Sequence, residues 1–162
     1  MPSTRPTEFA NILVELCRHQ VDFIIVGGVA AALEGAPFNT LDLDIVHRRT
    51  TDNIVRLLAA LRSLNAVYRH QEKLKPEMSH LATAGHQLLM TRDGPLDVLG
   101  AIGRSRTYED LLPRTVEVDL EGLRVRVLEL ETLIAVKEEV AGEKDLAVLP
   151  LLRRTLAEKR RS

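Results

Sequence analysis

The chain has 162 residues, with 22 Lys+Arg against 23 Asp+Glu and a formal net charge of −1. That length suits one domain with a substantial core, and so neutral a balance argues against a protein whose main task is coating nucleic acid. Three Phe, two Tyr and no Trp are too few rings for a base-stacking platform, and the one cysteine, Cys17, removes intramolecular disulfides and thiolate-rich zinc sites. What is left is a globular α/β domain suited to a reducing, cytoplasmic setting. The N-terminus lacks the pattern of a secretory signal, and the apolar run from Phe23 to Leu33 is broken by Gly27-Gly28. It falls short of the roughly 20 residues a membrane span needs, so no membrane role is expected.

Phe9, Ile12, Leu13, Leu16 and Cys17 recur at helical spacing, and Thr7 is a candidate cap for that first helix. Cys17 lies on the apolar stripe, which favours a packed thiol over a nucleophile. Phe23 to Val26 reads as a short buried strand, Gly27-Gly28 as the turn, and Val29 to Glu34 as a helix stopped by Gly35-Ala36-Pro37. Leu41 to Val46, written LDLDIV, reads as a second strand. Thr51 or Asp52 caps a third helix with Ile54, Val55, Leu57, Leu58, Leu61 and Leu64 on one stripe.

The polar segment from Tyr68 to Ser79 suits a loop or ragged edge strand, and His80 to Ala84 a further strand. Asp93-Gly94 and Glu121-Gly122 are hairpin signals, flanked by Gln87–Arg92 and Leu96–Leu99, and by Val116–Leu120 and Leu123–Leu128. Thr132 to Val140 is helical. A last helix from about Asp145 carries Leu146, Leu149, Leu152 and Leu156, with Pro150 as a kink or restart. The expected architecture is a short mixed sheet with helices packed on one side: residues 1–128 form the core and 129–162 a C-terminal helical pair of the same domain.

Chemistry concentrates between Val26 and Val46. A glycine turn leaving a strand and opening a helix lets anionic groups approach backbone N–H groups and the positive helix end. On its own this is a weak signal, and neither GxGxxG nor a Walker GK[ST] is present. Asp42 and Asp44 are two residues apart on a predicted strand, so both carboxylates share one face. Their repulsion is offset either by solvent, on an ordinary half-exposed strand, or by a divalent cation such as Mg²⁺ or Mn²⁺. Asp97, in the apolar strand Pro95-Leu96-Asp97-Val98-Leu99, is a third acid. Three carboxylates on neighbouring strands suit two ions clamping a phosphoryl displacement.

The succession of strand, Gly-Gly opening a helix, Thr-x-Asp-x-Asp-hydrophobic and a later strand Asp resembles the polymerase-β-like nucleotidyltransferase superfamily. Within it, the chain is similar to the small bacterial members grouped with AbiEii-type toxins and minimal nucleotidyltransferases. Gly27, Gly28, Thr40, Asp42, Asp44 and Asp97 carry the resemblance, and LETLIAVKEEVAGEKDLAVL matches the Lys…Lys-Asp helix pair of those members.

The resemblance implies a nucleotidyltransferase fold and transfer of a nucleoside monophosphate from an NTP such as ATP, with release of pyrophosphate. By it, Asp42 and Asp44 hold both Mg²⁺ ions, and Asp97 holds the catalytic one and helps activate the acceptor hydroxyl. Gly27, Gly28 and Thr40 belong to the nucleotide site, and Lys137 and Lys144 contact phosphate or nucleotide, with Asp145 organising them. Asn39 stands where many relatives have a basic residue, and Gly28 where many have Ser. These departures keep a second hypothesis in play: a degenerate module that binds nucleotide or a partner without catalysis.

The acceptor is unidentified; an antibiotic, a protein side chain in a toxin–antitoxin pair, and a tRNA end transiently bound are the candidates. A chain this short leaves little room for it, so a homodimer or a separate helical or antitoxin partner is expected to complete the cleft. His19, His47, His70, His80 and His86 show no metal-binding spacing and read as surface or supporting residues. Arg104 and Arg106 read as phosphate contacts or solvated loop residues. Arg153, Arg154, Lys159, Arg160 and Arg161 read as a solvated helix end.

Overall fold

The computed structural model describes residues 5–36, 42–140 and 143–161, and the side chains of 9–36, 42–140 and 146–161. Helix α1 (Arg5–Arg18) is followed by strand β1 (Phe23–Val26), α2 (Gly27–Leu33), β2 (Leu43–His47) and α3 (Thr51–Ser63). Next come β3 (Val67–Tyr68), the one-turn helix α4 (Met78–Leu81), β4 (His86–Thr91), β5 (Gly94–Leu99) and the one-turn α5 (Tyr108–Leu111). A 3-10 turn at Leu112–Arg114 leads into β6 (Thr115–Leu120), β7 (Leu123–Leu128), α6 (Leu130–Glu139) and α7 (Glu143–Arg161). Among the described residues no helix is long and apolar enough to cross a membrane.

The strands form one seven-stranded mixed sheet in the order β3-β4-β5-β2-β1-β7-β6. β1 runs parallel to β7 and β2 parallel to β5, while the other neighbours are antiparallel. The centre of the sheet is the driest part. All four β1 residues are buried, with Ile24 and Ile25 fully so, as expected of a strand covered on both faces. Each such side chain contributes about 1.5–3 kcal/mol by leaving water. At one edge β3 is only two residues long; at the other, Glu117 of β6 pairs with Arg124 and Arg126 of β7. Short, charged edges discourage further strand addition.

Most elements form where periodicity and turn chemistry put them. The β6–β7 hairpin turns through Glu121 and Gly122 with φ of 51° and 90°, the positive pair a two-residue primed turn requires. The β4–β5 hairpin turns one residue earlier than its Asp-Gly signal, because Gly94 pairs with Thr91. The Thr91 hydroxyl stabilises that corner by donating to the Gly94 carbonyl at 2.7 Å and accepting from the Asp93 N–H at 3.1 Å.

Several expectations are corrected. α1 starts at Arg5, so Thr7 lies inside it, and the N-cap position of α3 is Thr50, whose side chain makes no capping hydrogen bond. Val55 is 53% exposed and stands off the buried stripe of α3. His80 to Ala84 is not a strand: His80 lies in α4, where its Nδ1 accepts from the Glu77 N–H at 3.0 Å and anchors that turn. His47 is not a surface residue. It is 1% exposed, and its ring Nε2 hydrogen-bonds the Leu81 carbonyl at 2.8 Å.

α7 passes through Pro150 without interruption, burying Leu149 and Leu152 while leaving Leu146 exposed. Its basic residues are not simply solvated: Arg153 pairs with Glu138, Lys159 with Glu34 and Arg160 with Glu131. Those pairs tie α7 to α6 and to the end of α2.

Candidate active site

The site lies where the end of β1 and the start of β2 meet the middle of β5. β1 ends at Val26, which is in register with Asp44 of β2, and Asp44 is in register with Asp97 of β5. Neighbours in register across a sheet project to the same face, so Asp44 and Asp97 stand side by side. Leu43, Ile45, Leu96 and Val98 project to the other face and are all fully buried. The apolar halves of β2 and β5 thus fix the orientation of the two acids.

Gly27 closes the site from the β1 side. Its φ is +68°, a left-handed conformation natural to glycine. A Cβ at this position would collide with the Asp44 carboxylate and lie 3.2 Å from the Asp44 Cβ. The glycine therefore has a local role independent of any phosphate: it vacates the slot in which the Asp44 carboxylate lodges. Gly28 follows as the second residue of α2.

The electrostatics of this corner are strained by burial. Asp44 Oδ1 is buried with no hydrogen-bond partner among the described residues. Burial first, then the charge and hydrogen-bonding contact of Asp97, then the charge of Asp42, push the Asp44 carboxyl up to about 8; the Arg69 guanidinium pulls weakly the other way. Two acids in a poorly solvated corner share too little cation to be ionised together. Asp42 precedes the first residue of β2, so its closeness to Asp44 does not depend on the strand ladder inferred from the sequence.

Arg69 is the functional-site residue that sequence patterning missed. Its Nη2 donates to Asp97 Oδ1 at 2.5 Å and its Nη1 to the Leu89 carbonyl at 3.1 Å. The Arg69 N–H also donates to the Leu88 carbonyl at 3.1 Å. β4 lies beside β5, so this backbone bond holds Arg69 across one strand from Asp97. The polar segment that begins at Tyr68 has no periodicity to reveal that placement.

Thr40 lies outside the described residues, as do Asn39 and the side chains of Lys144 and Asp145. Lys137 is half-buried in the last turn of α6, a helix that packs against α2, the helix opened by the two glycines. Arg106 is not simply solvated. It grips Glu139 of α6 with both Nε and Nη2, at 2.5 Å for the shortest bond, while the Arg104 N–H donates to the same carboxylate at 3.1 Å. That pairing holds the Glu139 carboxyl below its usual range.

Among the described residues no three His, Cys, Asp or Glu side chains are gathered as a ready-made metal cage. Mg²⁺ seldom asks for one: it is usually bound by one or two carboxylates together with water and substrate phosphate. The adjacent Asp44 and Asp97, with the unpartnered Asp44 Oδ1 between burial and charge, fit that oxygen-only pattern.

No protein-family model matches the sequence, and no curated protein is significantly similar to it. Solved structures are similar in three dimensions. The antibiotic-resistance factor ANT(2'')-Ia gives a TM-score of 0.63 at 20% identity, over 98% of this chain and 88% of that one. The lincosamide antibiotic adenylyltransferase LnuA gives 0.61 at 12% identity, over 91% and 95%. A Thermotoga maritima protein classed as a nucleotidyltransferase gives 0.57 at 16% identity, over 93% and 91%. Likeness at such identities speaks to architecture, and with the mixed sheet and its order it establishes that the chain has the nucleotidyltransferase fold.

Proposed function

We propose that the protein is a cytoplasmic, divalent-metal-dependent nucleotidyltransferase that moves a nucleoside monophosphate from an NTP to a hydroxyl-bearing acceptor. The observation that carries this reading is the in-register pair Asp44–Asp97 beside the Gly27 turn, on a sheet of the nucleotidyltransferase type. Asp42, Asp44 and Asp97 would hold Mg²⁺ or Mn²⁺. When bound, such ions offset the charge of the triphosphate and of the reacting oxygens. The Gly27-Gly28 turn, Thr40, Lys137 and Lys144 would orient the phosphates. Asp97 would accept the proton of the acceptor hydroxyl as its oxygen bonds to the α-phosphorus. The bond from that phosphorus to the bridging oxygen breaks, and pyrophosphate leaves.

The neighbours guide the choice of acceptor. ANT(2'')-Ia has been solved with adenylyl-2''-tobramycin and LnuA with lincomycin, so small hydroxylated antibiotics are the first acceptors to try. A protein side chain, as in a toxin–antitoxin pair, comes next and a tRNA end last. A second copy of the chain or a helical partner would enclose the acceptor. The test is pyrophosphate release with each of the four NTPs and Mg²⁺, with and without acceptor, in the wild type and Asp44→Asn. Removing such an electrostatic contributor costs about 10²–10³ in turnover. Equal rates in the two proteins would refute the assignment.

One observation favours a second reading. Arg69 already sits on Asp97, as it would in a module that binds nucleotide or a partner without turnover. Metal-dependent NTP binding with no pyrophosphate release on any acceptor would select that reading.

A further inference from the structure

A carboxylate that is to take a divalent ion needs a free oxygen face, and Asp97 does not have one at Oδ1. The Arg69 guanidinium occupies it at 2.5 Å, with both side chains largely withdrawn from solvent, at 19% and 15% exposure. The guanidinium is also tethered elsewhere: Nη1 to the Leu89 carbonyl and the residue's own N–H to the Leu88 carbonyl. Arg69 is thus held by β4 whether or not it touches Asp97. Breaking the contact with Asp97 would leave the cation anchored a short distance away rather than released to solvent. The neighbouring Asp44 retains a buried oxygen, Oδ1, with no hydrogen-bond partner among the described residues. The same corner therefore holds one carboxylate already engaged by a fixed cation beside another that retains an unpartnered oxygen.

We infer that Arg69 is the resident counter-cation of the site and competes with the divalent ion for Asp97, so that it sets the metal affinity of the resting protein. This rests on the nucleotidyltransferase reading only in taking Asp44 and Asp97 as metal ligands. Arg69 is a positioning residue: in the ion-free protein it holds the Asp97 carboxylate turned toward β4, and an arriving ion must displace it. Two cations competing for one carboxylate are linked by a coupling free energy, and such couplings typically correspond to factors of about 5–150 in affinity. Removing the guanidinium should therefore tighten ion binding within that range. A purely structural arginine, whose loss merely loosens the site, would have the opposite effect.

The test uses the full chain without nucleotide and reads Mn²⁺ directly, from the electron paramagnetic resonance signal of the free ion at constant ionic strength. Arg69→Gln is expected to bind Mn²⁺ about 5- to 150-fold more tightly than the wild type, and to show a larger rise of melting temperature on adding the ion. Arg69→Lys keeps a positive charge and should fold even if the glutamine variant does not. Its ammonium lacks the planar fork that joins Asp97 to the Leu89 carbonyl, so its hold on Asp97 is less fixed but its charge remains, and a smaller tightening is expected. Asp44→Asn in each background should abolish the binding, which locates it. Wild-type binding that is unchanged or weakened in both Arg69 variants would overturn the role of Arg69 while leaving the metal site standing. No Mn²⁺ binding in the wild type or either variant would overturn both the role and the metal-dependent reading beneath it.

Discussion

Gly27→Ala separates two demands the fold makes on one position. The first is backbone: φ of +68° costs a side-chain-bearing residue about 1–2 kcal/mol. The second is steric, because the new Cβ would collide with the Asp44 carboxylate. The carboxylate must then swing away from Asp97, at about 0.5–1.5 kcal/mol for an off-rotamer side chain, and give up its hydrogen-bonding contact at about 0.5–1.5 kcal/mol. The single substitution should therefore cost about 2–5 kcal/mol. In an Asp44→Ala background the carboxylate is gone and a Cβ contact at 3.2 Å remains, which a shift of a few tenths of an ångström relieves. There the cost should fall to the backbone share, about 1–2 kcal/mol. Urea unfolding of the four proteins in chelator at one pH gives the cycle directly, with an expected coupling of about 1–3 kcal/mol. Equal costs in the two backgrounds would mean that Gly27 serves the backbone alone and that Asp44 does not lodge against it.

Other outcomes follow from the same coordinates. Asp44 holds a proton in the folded state up to about pH 8 that the unfolded chain releases near 3.8, so metal-free stability should fall as pH rises through that window. Asp44→Asn should remove this slope, and an unchanged slope in urea titrations at several pH values would refute it. In that variant the opposite trend should emerge at lower pH. Burial lowers the His47 pKa from its usual 6.5, so the unfolded chain takes up the proton first and stability is lost as pH falls below that value. Ile25→Ala, at a fully buried central position, should cost about 2–5 kcal/mol, whereas Val55→Ala should stay within about 0.5 kcal/mol of wild type. Thermal or urea denaturation distinguishes the pair.

The elements that were legible in the sequence are those whose pattern is enforced locally. The β1 run Phe23–Val26, the β6–β7 hairpin and the leucines of α7 each follow from side-chain period or turn chemistry within a few residues. The errors have both local and distant causes. His80 to Ala84 reads as a strand, yet a capping exchange between Glu77 and His80 puts its first two residues at the end of a one-turn helix and leaves the rest a turn. Val55 has the apolarity of a core residue and the wrong angle on α3. His47 looks like an ordinary polar residue at a strand end until Leu81, 34 residues later, supplies a carbonyl for its ring.

The site divides along the same line. Asp44 and Asp97 could be nominated from their apolar flanks, because a charge embedded in a buried strand has to face away from the core. The residue that completes their electrostatics could not, since Arg69 reaches Asp97 across 28 positions by way of β4. Yet a cation of some kind is required by the two acids themselves. Side by side and half-withdrawn from water, they can be neutralised by a proton, by a guanidinium or by a metal ion, and the resting protein uses the first two, the proton on Asp44 and Arg69 on Asp97. An incoming divalent ion must therefore displace both. Its binding should release a proton and weaken as pH falls below about 8, the value to which Asp44 is raised. Mn²⁺ titrations in buffers of different ionisation enthalpy read that proton directly; binding with no proton released at about pH 7 would show that Asp44 is already ionised and that burial does not govern it.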